Sequence, residues 1–162
     1  MTQGKTRERV TIERTYNANI DNVWSLWTTK QGIESWWGPA GFSTTVLALD
    51  LRPGGELRYA MTATAPAQVE FMKNAGMPVT NEGRITYTEV ANQRRLGYNH
   101  LADFVPGVHP YDVATLVEFH SIGSSVRMVL TFDAMHDEEW TKRAVMGHES
   151  QLGKLEKVIA AI

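Results

Sequence analysis

The sequence predicts an α+β domain in which one curved antiparallel sheet of about six or seven strands encloses a long C-terminal helix. Most segments between residues 42 and 133 alternate apolar and polar side chains with a period of two, which is typical of strands. Helical periodicity precedes and follows that region. Strands segregated from helices in this way indicate an α+β fold and not a doubly wound one. The 162 residues suit a single domain.

The N-terminal elements are predicted to be one strand and two short helices. Arg9–Tyr16 alternates as a strand does, after a tail at residues 1–8 that we expect to be flexible. Asn19 and Thr29 stand where they can cap two successive helices. The second helix is expected to stop at Gly38-Pro39, because the residue before a proline disfavours the helical conformation.

Three hairpins follow, and successive hairpin connections imply an antiparallel meander. Short turns rich in glycine, asparagine or serine join the two strands of each hairpin. The predicted strand pairs are Phe42–Leu51 with Glu56–Thr64, Arg84–Val90 with Arg95–Ala102, and Asp112–His120 with Ser125–Asp133.

A long amphipathic helix is predicted from Asp137 to Ile162, interrupted at Gly147. Its apolar stripe has helical spacing and should pack against the concave face of the sheet. The stripe comprises His148, Leu152, Leu155, Ile159 and Ile162.

The segment Ala65–Asn81 is too long for a hairpin turn, since connections beyond about 12–15 residues usually have a function or structure of their own. One interpretation is a short lid helix over the mouth of a cavity. The other is an amphipathic excursion that packs on the sheet edge.

Composition narrows the function classes. The net charge of −2, with scattered Lys and Arg, argues against a nucleic-acid partner. Cysteine is absent, which excludes disulfides and thiolate chemistry. The N-terminus lacks the apolar region of a signal peptide, and no run of about 18 apolar residues offers a membrane span. We therefore expect a cytoplasmic protein without a membrane partner.

A sheet that curls around a helix can leave an internal pocket lined by apolar side chains and a few polar groups. Strand parity, helical spacing and the possible lid nominate the residues of such a site. The candidate ligand-binding residues are His100, His148, Tyr98, Tyr59, Tyr87, Trp37, Met61, Met128 and Phe71.

His148 and His100 are the most informative of these positions. His148 lies on the inward stripe of the long helix, and His100 shares strand parity with Leu96 and Tyr98. Imidazole in a cavity suits ligand anchoring or proton transfer. The alternative is a core histidine satisfied by a backbone carbonyl or a water.

Motifs of established chemistry are missing from the chain. None of the five histidines stands in an HxH or HExxH spacing, and there is no GxSxG elbow or phosphate-binding loop. We therefore predict no metal, no cofactor and no assignable catalytic residue, and favour a binding protein over an enzyme.

Several motifs along the chain together resemble those of one known family. Val23-Trp-Ser-Leu-Trp-Thr-Thr with Trp36-Trp-Gly-Pro is similar to the opening of the family's domain. Leu49-Asp-Leu-Arg-Pro-Gly-Gly-Glu is similar to its first hairpin, and Gly83-Arg-Ile with Arg95-Leu-Gly-Tyr to its second. Gly147-His with Leu152 and Leu155 resembles its last helix, so the likeness extends from about Arg9 to Ile162. The family that these motifs resemble is the activators of the heat-shock-protein-90 ATPase.

The resemblance implies a START-like (SRPBCC) helix-grip fold, one shared by proteins of many functions. Two positions depart from the family pattern: Ala65–Asn81 is longer than the usual connection, and His148 stands where tryptophan is common. Three functions stay open: binding of a small, largely apolar or aromatic ligand; acid–base catalysis of the cyclase or hydratase kind in the same cavity; and a stress- or chaperone-related interaction module. A homodimer is also considered.

Overall fold

The computed structural model describes residues 8–103 and 105–162. The tail expected at residues 1–8 lies outside this range except for Glu8, which is exposed. Seven strands and four helices follow one another along the described chain. They are β1 (Arg9–Tyr16), α1 (Ile20–Thr28), α2 (Lys30–Trp36), β2 (Phe42–Leu49), β3 (Glu56–Ala63), α3 (Pro66–Asn74), β4 (Thr80–Ala91), β5 (Arg95–Ala102), β6 (Tyr111–Ile122), β7 (Ser125–Asp133) and α4 (Glu138–Ala160).

All seven strands form one antiparallel sheet in the order β1-β7-β6-β5-β4-β3-β2. The six strands after α2 are the predicted meander, and β1 completes the sheet beside β7. The expected α+β helix-grip architecture is thus confirmed. Within the described residues, no helix is long and apolar enough to cross a membrane.

Side-chain caps start three of the helices. The Asn19 side chain accepts a hydrogen bond from the Asn22 backbone N–H at 2.9 Å, and Thr29 Oγ1 accepts from Gly32 at 3.0 Å. Asp137 Oδ1 caps α4 by accepting from the Trp140 backbone N–H at 2.8 Å. These caps satisfy amide groups that have no partner inside the helix, which explains why the helices begin at these residues.

The long helix α4 runs through Gly147 without a break, so the interruption expected there is wrong. A glycine inside a helix costs only about 1 kcal/mol relative to alanine, and packing of the apolar face on the sheet outweighs that cost. The stripe is buried at Leu152, Leu155 and Ile159, whereas Ile162 lies beyond the end of the helix and is exposed.

The loop from α2 to β2 is fastened to α4 by three side chains. The Gly38 backbone N–H donates to Gln151 Oε1 at 2.9 Å, and the Ala40 N–H donates to Ser150 Oγ at 2.9 Å. Lys154 Nζ donates to the carbonyls of Gly38 at 3.2 Å and Phe42 at 3.1 Å. One side of α4 is therefore held by polar contacts while its stripe packs on the sheet.

The concave face of the sheet consists of two parts. One part, called the packed half, is filled by side chains from α1, α2 and the second half of α4. Its members are buried in the core: Trp24, Trp27, Leu57, Tyr87, Leu96, Val117, Met128, Leu155 and Ile159. The other part, called the hollow half, lies where β3, β5 and β7 end and β4 and β6 begin, beneath the first half of α4.

Candidate ligand-binding site

The hollow half encloses a cavity of about 660 Å³, within the range of about 300–1,000 Å³ that small-molecule sites occupy. Its wall is predominantly apolar, and ten of the 25 lining residues are aromatic or methionine. These residues are Trp37, Phe42, Tyr59, Met61, Met72, Met77, Tyr98, Phe132, Met135 and Trp140.

Six of the nine residues nominated from the sequence line this cavity. They are His100, His148, Tyr98, Tyr59, Trp37 and Met61. Tyr87 and Met128 are buried in the packed half instead, and Phe71 is 66% exposed on α3. Tyr87 is the direct cross-strand neighbour of Tyr98 and shares its face, so strand parity alone does not distinguish the two positions.

His148 is held in one orientation by two contacts. Its ring stacks on Phe132 with centroids 4.3 Å apart and an interplanar angle of 12°, and its Nδ1 lies 2.8 Å from the carbonyl oxygen of Ala144. Burial lowers the pKa of His148, and the hydrogen bond to Ala144 only partly opposes this. The side chain is therefore a neutral imidazole at pH 7, fixed by its own helix and by β7.

His100 faces the same cavity from β5. Its Nε2 lies 3.0 Å from the Tyr59 hydroxyl oxygen. Burial and, to a smaller extent, nearby His148 lower the pKa of His100 to about 4, while the carboxyl of Asp103 acts in the opposite direction. His100 is consequently neutral at pH 7, so the cavity contains two uncharged imidazoles.

Tyr59 connects His100 to the aromatic wall. Burial raises the pKa of Tyr59 to about 12, against a hydrogen bond from the Trp37 side chain that lowers it. The Tyr59 ring lies over Gly83 of the neighbouring strand, where a Cβ atom would come within 2.4 Å of the phenol ring. Gly83 thus leaves the room that Tyr59 needs to reach His100.

Tyr98 places a second phenol in the cavity. Its ring centroid lies 6.2 Å from that of Trp37. Burial raises the pKa of Tyr98 far above its ordinary value, so the hydroxyl stays protonated. It can donate to or accept from a bound molecule.

Charged side chains occur at one end of the cavity, among residues that are also exposed at the surface. Glu82, Asp103 and Arg143 all contribute to the lining there. The Arg143 guanidinium lies 4.6 Å from the ring centroid of Trp140 and pairs with Glu139 at 3.3 Å. This end is the mouth of the cavity.

The segment Ala65–Asn81 combines features of both interpretations made from the sequence. It forms α3, and Met72 and Met77 line the cavity, as a lid would require. Met72 is buried while Phe71, its neighbour in the helix, points to solvent. Gly41 carbonyl accepts from the Thr64 and Ala65 amides at 2.8 and 3.1 Å, which fixes the entry to α3 beside β2.

Several lining residues were not nominated from the sequence. Trp140, Ala144 and Gly147 extend the stripe of α4 towards its N-terminus with helical spacing, and Gln151 lines the cavity beside Leu152. The expected break at Gly147 concealed this extension. Phe132 has the inward-facing parity of β7, so the sequence pattern indicates this position as well.

No group of three or more histidine, aspartate or glutamate side chains in residues 8–103 and 105–162 is arranged to hold a metal ion.

Solved structures with the same fold include three proteins whose sequences are only 18–20% identical to this one. A protein from Chromobacterium violaceum superimposes with a TM-score of 0.76 at 19% identity, over 93% of this chain and 96% of the other. The AHSA1-like protein from Aeromonas hydrophila gives 0.72 at 20% identity, over 95% and 93%. The AHSA1 protein from Silicibacter pomeroyi gives 0.72 at 18% identity, over 95% and 99%. These similarities show the fold.

Among curated proteins, none matches the sequence significantly. The family described as "Activator of Hsp90 ATPase homolog 1-like protein" matches residues 17–160, which is nearly all of the chain. The resemblance found from the sequence motifs is confirmed by this match. The protein therefore belongs to the family of activator of Hsp90 ATPase homolog 1-like proteins.

Proposed function

We propose that the protein binds a small, largely apolar or aromatic molecule in the cavity of the hollow half. The observation that supports this proposal is the combination of volume and lining: about 660 Å³ walled by aromatic and methionine side chains, with two neutral histidines. Burial of apolar ligand surface supplies affinity, while a few fixed polar groups supply orientation. Methionine side chains adapt to ligand shape, which suits a wall that must close around one.

Access to the cavity is testable with a pair of tryptophan substitutions on α4. Ala144 faces the cavity, whereas Met146 is 70% exposed on the same helix. Ala144→Trp should fill the cavity and abolish binding of pyrene, measured by fluorescence titration, whereas Met146→Trp should leave binding unchanged. Circular dichroism checks that both variants fold. Equal binding by folded Ala144→Trp and wild type would contradict the proposal.

The natural ligand is best sought by native mass spectrometry of the protein purified from its own host. A mass excess that disappears in Ala144→Trp identifies a molecule held in the cavity. The same spectrum gives the subunit count and tests the proposed homodimer. Ligand-free wild-type protein, together with no binding across a panel of apolar and aromatic metabolites, would refute the proposed function.

Acid–base catalysis in the same cavity is the second candidate, favoured by one observation. His148 and His100 face a common space, and both pKa values are lowered, so both imidazoles are neutral at pH 7 and His148 is available as a base. Turnover of a cavity ligand should then follow a pH–rate profile whose acid limb is lost in His148→Gln. Absence of turnover for every ligand that binds would leave the protein a binding module.

An interaction module is the third function considered. Its prediction is a contiguous apolar patch at the surface. The exposed large apolar side chains of the described residues come from six positions on several elements, namely Leu47, Phe71, Met77, Ile122, Met146 and Ile162. Only Phe71 and Met77 belong to one segment, so the ligand-binding proposal has the stronger support.

A further inference from the structure

The protonation pattern of His148 follows from its contact with the backbone. A carbonyl oxygen only accepts hydrogen bonds, so Nδ1 must carry the proton that lies between His148 and Ala144. A neutral imidazole holds one ring proton, and Nε2 is therefore the unprotonated nitrogen. Within the described chain, no residue donates a hydrogen bond to Nε2. A neutral acceptor thus stands on the cavity wall.

Any rotation of the His148 ring that moves Nε2 away from its present direction costs free energy. Rotation about the Cβ–Cγ bond would break the 2.8 Å bond to Ala144, and a change of rotamer would lose the parallel stacking on Phe132. Nε2 is the nitrogen farther from the backbone, so it extends from α4 on the side of the cavity that Phe132 also lines. A bound molecule meets an acceptor whose direction is already set.

His100 has the opposite polarity. A phenol carries a single proton, and burial keeps the Tyr59 hydroxyl protonated at pH 7. Among the described residues, His100 Nε2 is the acceptor within reach of the Tyr59 proton, at 3.0 Å. Nε2 of His100 is then unprotonated, and its Nδ1–H is the donor. Only His148 presents an imidazole lone pair to the ligand.

The charges around the cavity also favour a neutral ligand over an anionic one. A carboxylate beside the lone pair of His148 would be repelled, and the cation that lines the cavity, Arg143, lies at the mouth and already pairs with Glu139. A hydroxyl group is neutral and brings the donor that the lone pair requires. An ether or hydrocarbon of similar shape brings none.

We infer that the cavity selects neutral aromatic ligands that carry a hydroxyl group, with the hydroxyl donating a hydrogen bond to Nε2 of His148. This inference rests on the proposed ligand-binding function and specifies the chemical class that the site takes. The His148–Ala144 contact and the stacking on Phe132 determine the preference.

Three pyrene derivatives test it: 1-hydroxypyrene, 1-methoxypyrene and pyrene-1-carboxylate, titrated by fluorescence at pH 7. For each compound, the affinity of the wild type is divided by that of His148→Phe. This ratio cancels the intrinsic hydrophobicity of the compound. His148→Phe should weaken 1-hydroxypyrene about tenfold, the value of one net hydrogen bond, and change 1-methoxypyrene less than about twofold. His120→Phe, on the exposed face of β6, is the matched control and should change neither.

Equal losses for 1-hydroxypyrene and 1-methoxypyrene in His148→Phe would overturn the inference and leave the proposed function standing. Tightest binding of pyrene-1-carboxylate would also overturn it and indicate recognition by Arg143. If none of the three compounds binds to the wild type, the proposed function fails for polycyclic aromatics and the inference fails with it.

A measurement without any variant removes dependence on the folding of His148→Phe. Nitrogen-15 NMR of the ligand-free wild type should show His148 with a protonated Nδ1 and a bare Nε2. Addition of 1-hydroxypyrene should shift the Nε2 resonance in the direction of hydrogen bonding, while 1-methoxypyrene should leave it in place. A proton on Nε2 in the ligand-free protein would overturn the inference directly.

Discussion

The packed half and the hollow half of the concave face are built from the same strands and the same helix, yet their buried polar atoms differ in hydrogen bonding. In the packed half, Tyr16 Oη, Trp27 Nε1 and Tyr87 Oη are buried without a hydrogen-bond partner among the described residues. In the hollow half, Tyr59 pairs with His100, and His148 pairs with Ala144. Three buried polar atoms thus lack partners in the packed half, whereas hydrogen bonds orient His100 and His148 in the hollow half.

This difference shows how one continuous core can serve two purposes. Tight packing in one half supplies stability, since buried apolar side chains contribute about 1.5–3 kcal/mol each. The hollow half has less of this packing, and its oriented polar groups surround the cavity. We expect substitutions to affect stability strongly in the packed half and binding strongly in the hollow half.

The largest effect should come from a pair of identical truncations. Met128 is fully buried in the packed half, whereas Met61 is partly buried on the cavity wall. Met128→Ala should cost about 2–5 kcal/mol of unfolding free energy because it opens a new void. Met61→Ala should cost less than about 1.5 kcal/mol because its side chain already borders empty space. Urea denaturation of both variants measures the difference, and equal costs would contradict the division into two halves.

The second effect is a loss of stability in acid that originates in the hollow half. The pKa of His100 is about 4 in the folded protein and 6.5 in the unfolded chain. The unfolded chain therefore binds the proton first as the pH falls, and the folded state loses about 3 kcal/mol between pH 6.5 and 4. His100→Gln should flatten this decline in urea unfolding measured across that range. An unchanged pH dependence in the variant would show that His100 does not titrate in this way.

Removal of one hydroxyl from each half should give opposite signs. Tyr59→Phe removes the partner of His100 and should cost about 1–2 kcal/mol. Tyr87→Phe removes a buried hydroxyl that has no partner among the described residues, so it should be neutral or stabilising by up to about 1 kcal/mol. Thermal unfolding decides between these signs. A destabilised Tyr87→Phe would reveal a hydrogen bond to that hydroxyl in solution.

The smallest effect compares two glycines of α4. A Cβ atom added at Gly147 or at Gly153 would meet no atom within 4 Å, so alanine fits at both. Each Gly→Ala change should stabilise the helix by about 0.5–1 kcal/mol. Only Gly147 lines the cavity, and therefore only Gly147→Ala should alter pyrene affinity. Titration and thermal unfolding of both variants test this, and an identical effect on affinity would contradict it.

Periodicity predicts most of the fold because hydrophobic alternation reports which side chains face the core. The bounds of Arg95–Ala102 and Ser125–Asp133 agree with the structure. Periodicity predicts that β4 starts at Arg84, whereas the strand starts four residues earlier, at Thr80. The inward positions there are Asn81 and Gly83, which line the cavity. Because these inward positions are an amide and a glycine, the start of the strand shows no apolar alternation to detect.

The candidate site is only partly predictable for the same physical reason. Parity identifies the inward face correctly at Tyr98 and Tyr87 but carries no information on which end of the concave face is filled. That depends on helices α1 and α2, since Trp24 and Trp27 of α1 pack on Phe119 of β6 through contacts distant in sequence. The pairing of Tyr59 with His100, 41 positions apart, likewise follows from sheet register.

The unbroken course of α4 has a mechanical consequence. Leu152, Leu155 and Ile159 are buried in the second half of the helix, and Trp140 lies about 18 Å from Leu152 at ~1.5 Å per residue. Because α4 is continuous through Gly147, we expect a ligand that displaces the first half of the helix to tilt the whole helix. The packing of Leu152, Leu155 and Ile159 on the sheet, beside the lining residue Gln151, then opposes the opening of the cavity.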